Sequence, residues 1–241
     1  MNDVRLVVFD LDGTLVDSMG AFADQAAKLM SIHYGMDYKT GYSKYVQTSG
    51  LPFRQQLDFL FPRDSRNDLV ARRFEAWKLE VIDDTSFRPG VEDMFDGLHG
   101  LGVRIAISSN NLQQNVDYIS QKFPRQVDTV LGFRGNGFHK GMPHFSWLAD
   151  NLQCRRSELV FVGDSLNDCH IALRCKVPFV AFPTTFSLEE FLNVDPDVAH
   201  VDPITGIVDW VRERRSSAPT HQIPTIDADL QIAGAKDFRY S

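Results

Sequence analysis

The chain has 241 residues, of which 43% are hydrophobic and 24% are charged, a balance typical of a globular protein that buries a substantial core. Its formal net charge of −7 disfavours binding to nucleic acid or anionic lipid, and no segment has the roughly 18 consecutive apolar residues of a membrane span. The three cysteines form no CxxC pattern, which argues against a disulfide framework or a zinc site and predicts a reducing, cytoplasmic location.

Short apolar segments rich in Val, Ile and Phe predict the β-strands of the chain. Each segment is bounded by Gly, Asp, Asn, Ser or Pro, and helical stretches separate the segments. Because strands that are apolar on both faces are typical of a buried parallel sheet, we predict an α/β fold. The predicted strands are residues 4–9, 103–107, 129–133, 159–162 and 179–182.

The gap between the first two predicted strands indicates an insertion. It spans about ninety residues, far more than a normal crossover, and apolar residues recur along it at helical spacing. We therefore predict a small helical domain, residues 17–86, inserted into a core domain made of residues 1–16 and 87–215. Residues 216–241 have two prolines and no sustained period, and we predict a loosely attached tail there.

Two acidic residues, Asp10 and Asp12, follow the first predicted strand directly. In parallel α/β sheets ligands bind at the carboxyl ends of the strands, and two like charges there raise each other's pKa unless a cation neutralises them. A divalent metal ion is the natural partner. Taken alone, however, the pair is more simply explained as the start of a turn, because Asp is a common turn residue.

A second acidic pair, Asp164 and Asp168, follows another predicted strand. A spacing of four residues brings both side chains to one face of the first helical turn, where their oxygens could bind one hard cation. Asp164 or Ser165 could instead cap the helix, but a cap does not explain the second acid. The sequence thus predicts that both acidic pairs contribute to one metal site.

A hydroxyl and an amide, Ser109 and Asn110, lie between the acidic pairs, after a strand and before a helix that is expected to open near Leu112. Helix N-termini bind phosphate, but Ser and Asn are equally common as plain caps. Lys140 precedes another helical segment and could add positive charge to the same pocket. By itself it is more simply a solvated surface lysine.

Taken in order, these segments resemble the four motifs of the haloacid dehalogenase superfamily of phosphatases. The resemblance rests on DLDGTL at residues 10–15, on Ser109-Asn110, on Lys140 and on GDSLND at residues 163–168, and it covers residues 4 to about 211. It implies a Rossmann-like parallel sheet core. The helical insertion resembles the C1 cap of the phosphoglycolate phosphatase and β-phosphoglucomutase branch. One departure is Gly141, since the family usually has proline after this lysine.

The resemblance implies a magnesium-dependent phosphohydrolase that acts on a small phosphorylated metabolite, phosphoglycolate-like or a sugar phosphate, through a covalent aspartyl-phosphate. Asp10 would attack the phosphorus. Asp12 would act as general acid and then as general base, and its backbone carbonyl would bind the metal. Dehalogenases of the superfamily lack the acid that Asp12 provides, so dehalogenation is not expected.

The remaining motif residues would bind the phosphoryl group or the metal. Ser109, Lys140 and Asn110 would contact the phosphoryl oxygens, and Lys140 would offset their charge. Asp164 and Asp168 would complete the Mg²⁺ site together with Asp10 and Asp12.

The substrate-specificity loop of capped members resembles residues 48–54 of this chain. Arg54 at its end could meet a second anionic group of the substrate, or it could equally be an exposed helix residue. A phosphosugar mutase of the β-phosphoglucomutase type is the alternative function. A non-catalytic binding module on this fold is a further one, but it predicts a damaged catalytic set, whereas every expected side chain is present. We expect a monomer or a homodimer.

Overall fold

The computed structural model describes residues 3–84 and 86–216, so residues 217–241 of the predicted tail lie outside the described residues. Its centre is a six-stranded parallel sheet with the strand order β3-β2-β1-β4-β5-β6. The predicted α/β fold is therefore confirmed. The strands are β1 (Leu6–Phe9), β2 (Arg104–Leu112), β3 (Thr129–Phe133), β4 (Leu159–Gly163), β5 (Phe179–Ala181) and β6 (Ala199–His200).

Helices cover both faces of the sheet and form the insertion between β1 and β2. The helices of the insertion are α1 (Met19–Tyr34), α2 (Tyr38–Gln47), α3 (Phe53–Leu60) and α4 (Asn67–Val81). Those that follow are α5 (Val91–Gly100), α6 (Gln113–Ser120), α7 (Met142–Asn151), α8 (Leu166–Cys175), α9 (Leu188–Val194) and α10 (Gly206–Ser216). Among the described residues, no helix is both long enough and apolar enough to cross a bilayer.

β1 lies at the centre of the sheet and is buried on both faces. Leu6 is in register with Arg104 of β2 on one side and with Leu159 of β4 on the other. Because side chains alternate along a strand, Leu6 and Val8 join the apolar cluster under α7 and α8, while Val7 and Phe9 join the cluster under α5 and α10. This double burial explains why the strand reads as a continuous apolar run.

The structure differs by more than two residues, or by a whole strand, from the predicted strands at two places. β2 continues to Leu112 because, after an irregularity in the ladder, Leu112 pairs with Phe133 of β3. Ser109 and Asn110 therefore lie within a strand, and the expected helix begins only at Gln113. The short strand β6 was not predicted, since it has two residues and no apolar run.

The helices α1–α4 pack around an apolar cluster of their own. Its buried members include Ala26 and Met30 of α1, Leu57 of α3, and Val70 and Phe74 of α4. The insertion thereby forms a compact helical layer, which lies over the carboxyl ends of the central strands and lines one side of a cavity there.

Candidate active site

The predicted site residues converge where β1, β2 and β4 end. Asp10 follows β1, Ser109 lies near the end of β2, and Asp164 follows β4. They line one cavity of about 60 Å³. The sheet side of its lining is Asp10, Asp12, Ser109, Asn110, Asn111, Lys140, Asp164 and Ser165, and the insertion contributes Met19, Phe22, Tyr45, Ser49 to Phe53, Phe74, Glu75 and Lys78.

Three buried carboxylates form the floor of the site. Oxygens of Asp10, Asp164 and Asp168 all lie within 4.8 Å of one another. Burial, reinforced by repulsion from the other two carboxylates, raises the pKa of Asp10 well above its usual value although Lys140 opposes the shift. Burial and the charge of Asp168 raise the pKa of Asp164 to about 6. The cluster thus holds more negative charge than its surroundings stabilise, and its all-oxygen donor set fits a hard divalent cation such as Mg²⁺.

Lys140 connects two of these carboxylates. Its Nζ lies 2.7 Å from Asp10 Oδ1 and 2.8 Å from Asp168 Oδ1, and the side chain is buried. Burial alone would lower the pKa of Lys140, but the two adjacent carboxylates outweigh it and raise the pKa above its usual value. Lys140 is therefore a fixed positive charge at the floor of the cavity, and not the surface lysine that its sequence context alone favours.

Two threonines bind the carboxylate of Asp164, and a glycine leaves the space that this carboxylate occupies. Thr14 Oγ1 donates to Asp164 Oδ1 at 2.7 Å, and Thr185 Oγ1 donates to Asp164 Oδ2. Gly13 has a φ of +91°, and a Cβ there would lie 2.2 Å from Asp164 Oδ2. Glycine at position 13 is therefore required both by the backbone conformation and by the close approach of the carboxylate.

Asp168 belongs to the first turn of α8. Ser165 caps this helix by accepting from the Asp168 backbone N–H, and its Oγ donates to Asp168 Oδ2 at 2.6 Å. The capping role and the acidic cluster thus coexist in one turn, because Asp168 uses its other oxygen to bind Lys140.

Asp12 stands apart from the three-carboxylate cluster and is oriented by neutral donors. Its Oδ1 accepts from Ser18 Oγ at 3.0 Å, and its Oδ2 accepts from Asn111 Nδ2 at 3.2 Å. The carboxylate lines the cavity with both oxygens positioned by neighbouring side chains. This fixed orientation is the geometry that proton transfer to a bound group requires.

The structure brings Ser109 and Asn110 to the cavity in different ways. Ser109 is buried, and its Oγ accepts from the Asn111 backbone N–H at 3.0 Å, which leaves the hydroxyl proton for a ligand. Asn110 donates from Nδ2 to Gly50 O at 2.7 Å and accepts at Oδ1 from the Lys140 backbone N–H at 3.1 Å. The side chain of Asn110 thus holds two loops together at the wall of the cavity, and its contact with a phosphoryl oxygen stays a prediction.

Arg54 is directed away from the cavity, contrary to the expectation that it meets a second anionic group. Its guanidinium pairs with Asp58 and, at 2.8 Å, with Asp68, and its side chain is 39% exposed. Arg54 is not one of the described residues that line the cavity. Two acidic neighbours on α3 and α4 bind this arginine at the outer surface of the insertion.

Lys78 is the cationic residue that the insertion contributes to the cavity, and sequence reasoning missed it. The residue is 7% exposed, and its Nζ lies 2.9 Å from Asn111 Oδ1 and 2.7 Å from Glu75 Oε2. The available signal was its position eight residues after Val70 and four after Phe74, which places a charge on the buried stripe of α4.

The family model for haloacid dehalogenase-like hydrolases matches residues 7–182, a segment that contains every motif residue described above. The chain belongs to this family. The sequence-based prediction of a phosphatase of the haloacid dehalogenase superfamily is thereby confirmed. The match to the family model covers most of the length of this hydrolase.

Two curated relatives of this hydrolase are phosphoglycolate phosphatases. That of Vibrio parahaemolyticus is 28% identical over 188 residues, covering 69% of this chain and 78% of the relative. That of Salmonella paratyphi A is 24% identical over 228 residues, covering 83% and 90%. The crystal structure of a predicted phosphatase from Clostridium acetobutylicum superposes with a TM-score of 0.75 at 17% identity, covering 88% of this chain and 100% of that one, which shows a common fold.

Proposed function

We propose that this hydrolase is a Mg²⁺-dependent phosphatase that removes the phosphoryl group from a small phosphorylated metabolite through a covalent phosphate on Asp10. The observation that carries the proposal is the cluster of three buried carboxylates with oxygens within 4.8 Å, bound on one side by a buried lysine. Such a cluster is costly unless a cation completes it. Bound there, Mg²⁺ would neutralise the carboxylates and screen the phosphoryl charge from Asp10.

In the first step, the free oxygen of Asp10 forms a bond to phosphorus as the ester oxygen leaves. Lys140 binds Asp10 Oδ1, and among the described residues none donates a hydrogen bond to Oδ2. Oδ2 is therefore the attacking atom. Asp12, held by Ser18 and Asn111, transfers its proton to the leaving oxygen, so that the alcohol departs neutral.

In the second step, water attacks the phosphorus of the aspartyl-phosphate, and Asp12 accepts the proton of that water. Inorganic phosphate leaves, and Asp10 is regenerated as a carboxylate. Ser109 donates its hydroxyl proton to a phosphoryl oxygen, while the fixed charge of Lys140 opposes the negative charge that spreads over the transferred group.

We assign residues 17–86 as a cap domain over a core of residues 1–16 and 87–215. Gly50, on the loop after α2, accepts from Asn110 Nδ2 at 2.7 Å and from Asn167 Nδ2 at 3.1 Å. These two contacts hold the insertion against the sheet beside the cavity, where closure of a cap would limit the access of bulk water during phosphoryl transfer.

The small volume of the cavity favours a small substrate. A volume of about 60 Å³ accommodates on the order of four to six water-sized groups, of which the phosphoryl group takes most. Two or three further carbon or oxygen atoms complete the filling, so a two- or three-carbon phosphate fits better than a hexose phosphate. A phosphosugar mutase would need room for a second phosphoryl group.

The test is release of inorganic phosphate, with and without Mg²⁺, from two- and three-carbon phosphates, hexose phosphates and nucleotides, with isomers of each sugar phosphate quantified in parallel. We expect release from the smallest substrates without isomer formation, and its loss after EDTA treatment. Asp10→Asn should abolish turnover while leaving the circular dichroism spectrum unchanged. Turnover by Asp10→Asn, or isomer formation without phosphate release, would contradict the proposal.

A further inference from the structure

An ion pair on α4 forms part of the cavity wall that the insertion contributes. The pair is Glu75 and Lys78, whose Nζ lies 2.7 Å from Glu75 Oε2. The same Nζ donates to Asn111 Oδ1 on β2 at 2.9 Å, and Lys78 is 7% exposed. An ion pair one helical turn apart contributes little to stability and needs no burial, whereas burying an ammonium group is costly. The burial of Lys78 therefore calls for a role beyond its pair with Glu75.

Asn111 links this ammonium group to Asp12. Its Oδ1 accepts from Lys78 Nζ, from the Leu112 backbone N–H and from Asn115 Nδ2, each at 2.9 Å. Because the ammonium group and the backbone N–H can only donate, the amide oxygen of Asn111 must face them and its nitrogen must face the other way. That nitrogen, Nδ2, lies 3.2 Å from Asp12 Oδ2. The orientation of the Asn111 amide therefore determines that Asp12 receives a hydrogen bond.

Lys78 differs from the other two donors in its charge and in its place in the fold. Leu112 and Asn115 belong to the core, whereas Lys78 lies on α4 of the insertion. Among the described residues, Asn115 Oδ1 has no hydrogen-bond partner, so the amide of that residue is itself weakly oriented. A positive charge on the oxygen of an amide polarises the amide and strengthens the hydrogen bond that its N–H donates. The rings of Phe22 and Phe74, with centroids 5.6 and 5.5 Å from Nζ, lower the local dielectric constant and enhance this effect.

We propose that Lys78 is a positioning residue for Asp12 and acts through Asn111. The proposal rests on the proposed phosphatase function, in which Asp12 gives its proton to the leaving oxygen. The ammonium group orients the Asn111 amide, the amide binds one oxygen of Asp12, and Ser18 Oγ binds the other at 3.0 Å. Lys78 thereby couples proton transfer to the insertion, because Asp12 is fully oriented only while α4 contacts the core.

The test compares two leaving groups in Lys78→Met, which nearly keeps the length of the side chain and removes its charge. Acetyl phosphate releases acetate, which needs no proton, whereas the two- or three-carbon alkyl phosphate that wild type hydrolyses fastest releases an alkoxide, which does. Because kcat/KM reports the steps up to departure of the leaving group, slow hydrolysis of the aspartyl-phosphate does not affect it. We expect kcat/KM to fall about tenfold for the alkyl phosphate and less than about threefold for acetyl phosphate.

Three further variants serve as controls. Lys39→Met, which removes an exposed lysine of α2, is the charge-matched control and should leave both values unchanged. Lys78→Arg keeps a positive charge and should preserve the wild-type ratio of the two values within about threefold. Lys78→Gln should lower that ratio as Lys78→Met does. It keeps the proposal testable if Lys78→Met fails to fold, because its amide still offers Glu75 a hydrogen bond.

An equal loss on both substrates would overturn the positioning role and leave the phosphatase function intact, because a residue that supports the fold or binds the phosphoryl group affects both leaving groups alike. Unchanged kcat/KM on both substrates would overturn it too, as would a ratio in Lys78→Arg as low as that in Lys78→Gln. Failure of wild type to release phosphate from any substrate would instead contradict the proposed function itself.

Discussion

Replacement of Asp164 by Asn should stabilise the metal-free protein while it abolishes activity. Asp164 is buried beside Asp168, and its pKa is raised from 3.8 to about 6. The folded state therefore binds a proton more tightly than the unfolded state, so the ionised carboxylate destabilises the fold at neutral pH. Two pKa units correspond to about 3 kcal/mol of destabilisation above pH 6, which disappears as the pH falls towards 4.

The neutral amide that Asp164→Asn introduces removes this cost and still offers an oxygen to Thr14 Oγ1, the donor that binds Asp164 Oδ1 at 2.7 Å. In EDTA at pH 7, we expect Asp164→Asn to be more stable than wild type by about 1 to 3 kcal/mol, with a smaller gain at pH 5 because wild type recovers about half of the penalty there. Asp150→Asn, on the exposed surface of α7, is the matched control and should change stability by less than about 0.5 kcal/mol.

Urea unfolding followed by circular dichroism measures these differences directly, at pH 7 and pH 5, with EDTA or with Mg²⁺. Saturating Mg²⁺ should stabilise wild type and leave Asp164→Asn nearly unchanged, since a ligand stabilises only the state that binds it. A metal-free Asp164→Asn protein less stable than wild type at pH 7 would refute the reasoning. The contacts of the carboxylate would then stabilise the folded state by more than its burial destabilises it.

Further variants test the contacts that position the site. Gly13→Ala should reduce kcat/KM more than about 100-fold and weaken Mg²⁺ binding, because its Cβ would lie 2.2 Å from Asp164 Oδ2. The control, Gly100→Ala, should retain activity because no atom lies within 4 Å of the added Cβ. Asn167→Ala removes the 3.1 Å contact with Gly50 O and should raise KM about threefold to tenfold with little change in kcat; a change in kcat alone would contradict a role in holding the insertion closed.

The acidic strand ends were predictable because burial leaves a strong signal in the sequence. Asp10 and Asp164 each follow an apolar run with no polar spacer, and parallel strands end at one edge of a sheet, so their convergence follows from local pattern and fold class alone. The sequence signal is weaker for Ser109 and Lys140. Only the order of the motifs distinguishes Ser109 from a plain helix cap and Lys140 from a surface lysine.

The contacts made by the insertion were not predictable in the same way. The direction of the Arg54 side chain depends on which acidic neighbour it pairs with. Asp58 and Asp68, on adjacent helices, form these ion pairs. The position of the Lys78 ammonium group depends on its hydrogen bond to Asn111, which is 33 residues away along the chain. Periodicity locates the buried face of α4, but it does not specify the partner that a charge on that face will meet.

The extent of β2 illustrates a further limit. Its last residues, Ser108 to Leu112, are polar apart from Leu112, and their strand conformation comes from pairing with β3 beyond an irregularity in the ladder. Because tertiary pairing overrides the local signal there, sequence reasoning ended the strand early and placed Ser109 and Asn110 near a helix N-terminus.

The central claim is that Asp10 carries the phosphoryl group, and a burst experiment on Asp12→Asn tests it most directly. With acetyl phosphate, a two-carbon substrate whose acetate leaving group needs no proton, this variant should still phosphorylate Asp10 but hydrolyse the intermediate slowly for want of a general base. We predict a burst of about one acetate per enzyme molecule in the presence of Mg²⁺, with the phosphoryl group found on Asp10 by peptide mass spectrometry. Acetate release without a burst and with no phosphate on Asp10, or phosphate on a different residue, would contradict the account.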